Sequence, residues 1–428
     1  MDLAKRLFKG DLVIWIIFMF LCLISVIEVF SATSTIAYRN ANYWAPIVRH
    51  SGILLGGFGL VLVMHNFHYK VFRYVGLGVF VAIILLVITP FVGVVINGEP
   101  RWLEIAGIRF QPSEVAKICS VCFTALVLSK RKSLTDSQMF WTIIIAVCIV
   151  CGLIFVNNAS TAILLFMVTM MMMFIGQIDF KRMTKLLAVC GAMAALLVAF
   201  LFLAPEPVMK LVPRAETWKA RIERFFSSDD RMDMESKTLT MDDEHYQEDH
   251  AKMAIARGGV FGQKPGHSLQ RDFLPQAYSD FIYAIIIEEL GLIGGGFVLF
   301  LYLALLFRVG IIARKCDKLF PKYLILGCAL LVVTQAIINM AVAVGLFPVT
   351  GQPLPLVSRG GTSTLINCAY IGIILSISRF SANIGNEEDE YPDDEDVEEG
   401  EAELVKESET SESSLNSETI TVIENKNF

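Results

Sequence analysis

Between Asp280 and Arg308 the chain reads Asp280-Phe-Ile-Tyr-Ala-Ile-Ile-Ile-Glu288-Glu289-Leu-Gly-Leu-Ile-Gly-Gly-Gly-Phe-Val-Leu-Phe-Leu-Tyr-Leu-Ala-Leu-Leu-Phe-Arg308. The apolar run 281–306, interrupted by two carboxylates alone, is too long for a strand and long enough to cross a hydrocarbon core of about 30 Å as helix. Comparable runs place further spans at 12–32, 49–65, 75–96, 112–129, 139–156, 160–176, 184–205, 323–346 and 363–380. The sequence therefore predicts an all-α polytopic membrane protein with about ten transmembrane helices. Composition agrees: of 428 residues 55% are apolar and 18% charged, against about 45–50% and 25% in soluble proteins. A soluble enzyme, a nucleic-acid partner, a secreted disulfide scaffold and a disordered adaptor are excluded.

Charge orients the chain. Lys5, Arg6, Lys9, Lys70, Arg73, Lys130, Arg131, Lys132, Lys181, Arg182 and Lys185 lie before the first span or in even-numbered connections, as do Arg308, Arg314, Lys315, Lys318 and Lys322, with Arg379 at the end of the last span. The short odd-numbered connections hold only Arg39, Arg49, Arg101, Arg109 and Arg359. The positive-inside rule then puts both termini in the cytoplasm. Residues 1–11 become a cytoplasmic N-terminus, 12–380 the membrane domain, and 206–280 one large extracytoplasmic loop. In that loop Trp218, Arg221, Arg224 and Phe225 read as an amphipathic interfacial segment, and the acidic stretch from Asp229 to Asp249 as a mobile excursion. The tail 381–428 is acidic and expected to be disordered. Its charge of −15 from Glu387 onward, against −6 for the whole chain, leaves +9 for the membrane part, which suits anionic headgroups or an anionic lipid substrate.

Two CxxC spacings, Cys119/Cys122 and Cys148/Cys151, fall inside apolar helical runs. With no polar access for a metal they read as small buried side chains, and Met170 to Met173 as core or lipid-facing filler. Polar residues at membrane depth are costly and mark function by default. They gather in three odd-numbered connections, which points to one composite extracytoplasmic site. Asn97 to Glu114 contains Arg101, Trp102, Arg109, Gln111 and Glu114, with Lys117 one turn further on; Phe273 to Asp280 precedes the quoted span; Pro348 to Ser363 contains Ser358, Gly360 and Gly361. Arginine forks suit a diphosphate, and Lys117 adds charge near a helix start; interfacial snorkelling is the plainer role for such residues. Trp102 is a belt residue or a stacking platform. Asp280 either caps the helix or serves as an acid/base group, and the first does not exclude the second. Glu288 and Glu289 require a partner such as Lys117 or an Arg, and a structural ion pair is their simplest reading. Gly360 and Gly361 permit close backbone approach, as in a pocket wall or a connecting turn.

At these residues the chain resembles the SEDS family (shape, elongation, division and sporulation), the membrane peptidoglycan glycosyltransferases that include FtsW and RodA. Four stretches carry the resemblance in order: NGEPRWLEIAGIRFQPSEVAK from Asn97, AIARGGVFGQKPGHSLQ from Ala254, FLPQAYSDFIYAIIIEELGLIGG from Phe273 and NMAVAVGLFPVTGQPLPLVSRGGTS from Asn339. It covers roughly 10 to 380. The resemblance implies a multi-pass protein of the bacterial plasma (inner) membrane that polymerises lipid II, the undecaprenyl-diphosphate-linked disaccharide-peptide, as an inverting transferase. Asp280 would be its essential acid/base residue, with Arg109 and Lys117 at positions important for function. It further implies a monofunctional penicillin-binding protein as partner, together with other cell-division proteins and membrane lipids. A divalent cation, magnesium or manganese, is implied by the diphosphate and the family only, since no metal motif occurs; no nucleotide or organic cofactor is implied. Ser268-x-Gln270 and the long tail resemble the FtsW branch more than RodA. Three departures stand out. Asn157-Asn158-Ala-Ser160-Thr161-Ala162 replaces the family's PDxGTA, Arg359 replaces the tyrosine of ISYGGSS, and Pro275-Gln276-Ala277-Tyr278-Ser279-Asp280 keeps the aspartate of PEAHTD but loses its Glu and His. A lipid II flippase and a division scaffold are the competing classes; the one-sided clustering of polar groups favours an enzyme.

Overall fold

The computed structural model describes residues 8–39, 45–96, 99–105, 108–203, 219, 243–274 and 277–383. Helix α1 (Leu12–Arg39) is followed by α2 (Ala45–Met64), α3 (Phe72–Leu77), α4 (Val79–Val92), strands β1 (Val94–Ile96), β2 (Glu99–Ile105) and β3 (Ile108–Phe110), α5 (Pro112–Ser129), α6 (Asp136–Asn157), α7 (Ala159–Ile175), α8 (Phe180–Leu203), α9 (Asp243–Gly258), α10 (Ile282–Arg314), α11 (Leu319–Ala343) and α12 (Thr362–Asn383). Eight described helices are long and apolar enough to cross a membrane, and nine if the segment 69–92, bent by 43° around Gly78, is one span. The tenth expected span corresponds to α7, apolar but only 17 residues long. Helix α5 is the axis of the bundle: 83% of its window is buried, against 6% for the peripheral α8. The second compact unit, 382–428, is described at Ala382 and Asn383 alone.

Local chemistry sets the helix ends. Asp11 accepts from the amides of Val13 and Ile14 at 3.0 and 3.3 Å, and its carboxylate pairs with Arg308 at 2.6 Å, fastening the start of α1 to α10. Thr135 and Gln138 form a reciprocal capping box on α6. Asn158 ends α6 and caps α7, its Oδ1 accepting from Thr161 N at 3.2 Å. The amide thus does what a carboxylate at that position does for a helix N-terminus.

Four expectations change. The connection after α4, read as loop, is a small antiparallel sheet in the order β1-β2-β3, with Val94 opposite Trp102 and Glu104 opposite Arg109. Part of the acidic excursion is helical: Asp243 to Asp249 open α9, whose Ala251 and Ala254 are buried. The remainder of that stretch, Trp218, Arg221, Arg224, Phe225 and the tail from Glu387 lie outside the described residues. Of the CxxC cysteines, Cys119 and Cys122 are buried but Cys148 is exposed on the apolar surface. The long span is also not one uniform helix. Gly291 adopts φ 73° and ψ −176° inside α10, and the chain after α9 repairs the break. Gln263 N and Lys264 N donate to the carbonyls of Glu288 and Glu289 at 2.9 Å, while Leu292 N donates to Gly259 O at 2.9 Å. Backbone meets backbone there, and a Cβ on Gly258, Gly262 or Gly291 would collide with main-chain atoms.

Candidate functional site

Asp280 sits just before α10, half-buried. It does not cap that helix: Phe281 occupies the cap position with no side-chain hydrogen bond. Ser279 Oγ donates to Asp280 Oδ1 at 2.8 Å. Burial pushes its carboxyl above the ordinary range, and the Ser279 hydrogen bond opposes that rise. The backbone around it is held from several sides. Asn339 Nδ2, from α11, donates to Asp280 O at 2.8 Å and to Gln352 O at 2.7 Å. Ser358 Oγ donates to Ser279 O at 2.5 Å and accepts from Leu354 N at 2.8 Å; Arg359 N donates to Tyr278 O at 3.0 Å. The Pro- and Gly-rich connection 348–363 is therefore welded to the Asp280 segment. Gly351, at φ 65°, leaves room beside the carboxylate, since a Cβ there would stand 3.6 Å from Asp280 Oδ2.

A buried polar seam joins this base to α5. Lys117, fully buried, pairs with Glu114 at 2.8 Å and donates to Gln335 Oε1 at 3.1 Å. Gln335 Nε2 in turn donates to Pro353 O at 3.0 Å, and Gln352 Nε2 donates to Thr161 Oγ1 at 2.8 Å. Lys117 thus reaches the Asp280 segment through protein groups.

The other sequence candidates separate into distinct places. Arg101 from β2 and Gln111 before α5 line a shallow recess with Thr89, Ser113, Asn157 and Asn158. Arg109, on β3, is exposed and pairs with Glu104 at 2.8 Å; Trp102, on β2, is half-buried. Gly360 and Gly361 form the turn that starts α12, with Ser363 N donating to Gly360 O at 3.2 Å. Glu288 and Glu289 are buried but do not meet Lys117, which belongs to Glu114. Arg257 lies 3.7 Å from Glu288 and Arg271 3.9 Å from Glu289. Ser268 Oγ donates to Glu288 and Ser31 Oγ to Glu289, and the amides of Gly266 and Leu269 add bonds of 3.0 and 3.1 Å. These carboxylates clamp the strap that follows α9 onto α10 and the end of α1.

Sequence reading passed over Gln335, Asn339, Thr161, Tyr302 and Ser25. Tyr302 Oη donates to Pro355 O, and Ser25 Oγ, itself 2.9 Å from His50 Nε2, donates to Val357 O at 2.7 Å. Their signal was present: Gln335 and Asn339 are four apart on an apolar span, one helical face with two polar groups at depth.

The sequence model of the cell cycle protein family FtsW/RodA/SpoVE matches residues 11–383. This chain belongs to that family. Curated FtsW/RodA/SpoVE relatives include the probable peptidoglycan glycosyltransferase FtsW of Coxiella burnetii, 30% identical over 382 residues, covering 86% of this chain and 96% of the relative. The protein of the same name from Bacillus subtilis is 28% identical over 402 residues, covering 91% and 96%. Among solved structures, a chain of a peptidoglycan synthase complex that coordinates polymerization and crosslinking superposes with a TM-score of 0.67 at 20% identity, covering 87% of this chain and 98% of that one. Thermus thermophilus rod shape determining protein RodA gives 0.61 at 20%, covering 86% and 97%. At that identity the structures show a shared fold, and the helices and connections described above are those of an FtsW/RodA/SpoVE protein.

Proposed function

We propose that this chain is an inverting peptidoglycan glycosyltransferase that polymerises lipid II on the extracytoplasmic face, for septal synthesis in division. Asp280 is its general base. The observation that carries the reading is the setting of Asp280: a half-buried carboxylate on a segment whose backbone is held by Asn339, Ser358 and Arg359. Asp280 takes the proton of the 4-hydroxyl of the acceptor N-acetylglucosamine. The freed oxygen forms a bond to the donor's anomeric carbon, and the bond from that carbon to the phosphate oxygen breaks with inversion, its electron pair leaving on undecaprenyl diphosphate. A carboxyl raised by burial is a stronger base, and positioned base catalysis contributes about 10²–10⁴-fold. Holding two lipid-anchored substrates in register supplies the orientation term.

Among the described residues no group of three or more His, Cys, Asp or Glu side chains could hold a metal ion. A magnesium or manganese ion would instead come with the substrate diphosphate, which supplies most of its oxygen ligands. The names of the curated relatives and the synthase complex support the transferase activity and a penicillin-binding protein as partner. The distribution of Lys and Arg supports cytoplasmic termini.

The test is a gel assay of strand formation from purified lipid II, using wild type and Asp280→Asn, each alone and with the cognate penicillin-binding protein. Polymer from wild type and none from the folded variant is expected. Equal polymer from both removes Asp280 from catalysis. None from wild type even with its partner, accompanied by lipid II translocation in vesicles, transfers the function to transport.

A further inference from the structure

The strap after α9 meets α10 well inside the span. Arg308, held by Asp11 at the start of α1, marks one end of the apolar part of α10. At a rise of about 1.5 Å per residue, a hydrocarbon core of about 30 Å takes roughly twenty residues of helix. Counted back from Arg308, that core begins in the neighbourhood of Glu288. The exposed side chains agree: α10 presents large apolar groups outward from Leu292 to Phe307, whereas Ile282 to Glu289 are all buried. The turn of the strap, residues 259–262, is bonded at this level. Gly259 O accepts from Leu292 N at 2.9 Å and Val260 O from Ile293 N at 3.4 Å, and Gln263 N donates to Glu288 O at 2.9 Å. A segment that belongs by sequence to the long connection 206–280 thus lies against helix at hydrocarbon depth.

The tip of the strap suits that depth. Val260 and Phe261 are 53% and 83% exposed, and their backbone is joined to α10 where its outward apolar stripe begins. The polar groups turn inward instead. Gly262 N donates to Gly258 O at 2.8 Å and Gln263 Nε2 to Arg257 O at 2.8 Å, so the turn satisfies the end of α9. Irregular backbone is tolerated at membrane depth only where protein groups pair it. Lys264, exposed just past the turn, has a stem long enough to carry its charge up to the headgroups. We infer that residues 259–262 are a re-entrant tip, with Val260 and Phe261 among the acyl chains of the leaflet on the Asp280 side. The strap is then gripped twice, by Glu288 and Glu289 from within and by lipid from outside.

The test is fluorescence quenching in the full-length protein, reconstituted in nanodiscs of phosphatidylcholine and phosphatidylglycerol. Phe261→Trp places a reporter at the tip, and Leu292→Trp places a reference in the span; the emission of wild type is subtracted from each. Lipids with a nitroxide on the acyl chain are expected to remove the added emission of both variants, and aqueous iodide that of neither. Iodide quenching of Phe261→Trp but not of Leu292→Trp would put the tip in water and overturn the inference. So would a Phe261→Trp reached by neither agent while nitroxide quenches Leu292→Trp, since protein, such as a second copy of the chain, would then cover the tip. A second measurement is independent of tryptophan. A charge is costly among acyl chains, so Phe261→Asp should drive the tip out, and the amides of Gln263 and Lys264 should lose protection from hydrogen exchange. Protection equal to that of wild type would mean that lipid does not hold the tip. Neither measurement uses substrate, so both stand apart from the polymerase reading.

Discussion

Two connections that carry candidate site residues satisfy their backbones in opposite ways. The connection 348–361 contains three prolines at 348, 353 and 355 and is no regular element. The carbonyls of Gln352, Pro353, Pro355 and Val357 each accept from a side chain, those of Asn339, Gln335, Tyr302 and Ser25, contributed by α11, α10 and α1. Leu354, Leu356 and Val357 are buried between those donors. The connection 94–110 instead pairs with itself as three strands, and its Arg109–Glu104 pair is exposed at 57% and 39%. Prolines cannot donate to a ladder, so the first connection takes its order from the bundle, and the bundle's polar residues are spent on it. Rigidity therefore lies in the wall behind Asp280, which is part of the core, whereas the Arg109–Glu104 end of the sheet is exposed.

The largest expected effect is on chemistry. Asp280→Asn should lower the rate of strand synthesis by at least about 10²-fold, the worth of a positioned base. It should do so without loss of fold at neutral pH. Burial raises the folded-state pKa of Asp280, so its contribution to stability is present below the ordinary aspartate range and lost as pH rises through the raised value. Ionised Asp280 is thus a burden on the fold, and the variant should unfold no earlier than wild type at pH 7 in a thermal scan; earlier unfolding would mean that the carboxylate is structural.

Next comes the seam beneath the wall. Lys117→Met strands Glu114 in the core, and breaking such a pair costs about 3–5 kcal/mol; adding Glu114→Gln should return much of it. A double variant as unstable as the single would show that the charges themselves are needed. Asn339→Leu removes a donor from two carbonyls and is expected to cost about 1–3 kcal/mol, with kcat falling while KM holds. If KM rises instead, Asn339 contacts substrate. The smallest effect belongs to the sheet: Arg109→Ala should change stability by less than about 1 kcal/mol, as for exposed pairs. A large rise in KM for lipid II in that variant would break the comparison and make the sheet a binding element.

Much of this was legible in the sequence. Run length gave the eight long apolar helices, the bent segment 69–92 and the short α7, because membrane spans must satisfy their backbones internally and be long and apolar to do so. Asp280, Ser358 and the Glu114–Lys117 neighbourhood were picked out as polar residues where polarity is costly. The sheet was missed because two of its strands have only three residues and the third, Glu99–Ile105, opens with Glu and Pro and does not alternate, although Asn97-Gly98 is a hairpin dipeptide. The partners of Glu288 and Glu289 were not legible, since Arg257 and Arg271 come from a strap whose docking depends on the break at Gly291. A glycine among apolar residues gives no hint that a helix stops there. Gln335 and Asn339 were overlooked because two amides in an apolar span read as tolerated exceptions.

The most direct test of the central claim is the pH dependence of the strand-synthesis rate for wild type under saturating lipid II. If Asp280 is a base raised by burial, the rate should climb with pH through an apparent pKa above the ordinary aspartate value of about 3.9, as the proton leaves the carboxyl. A rate that is already flat across that range, or a limb at the ordinary value, would contradict a buried Asp280 acting as the base.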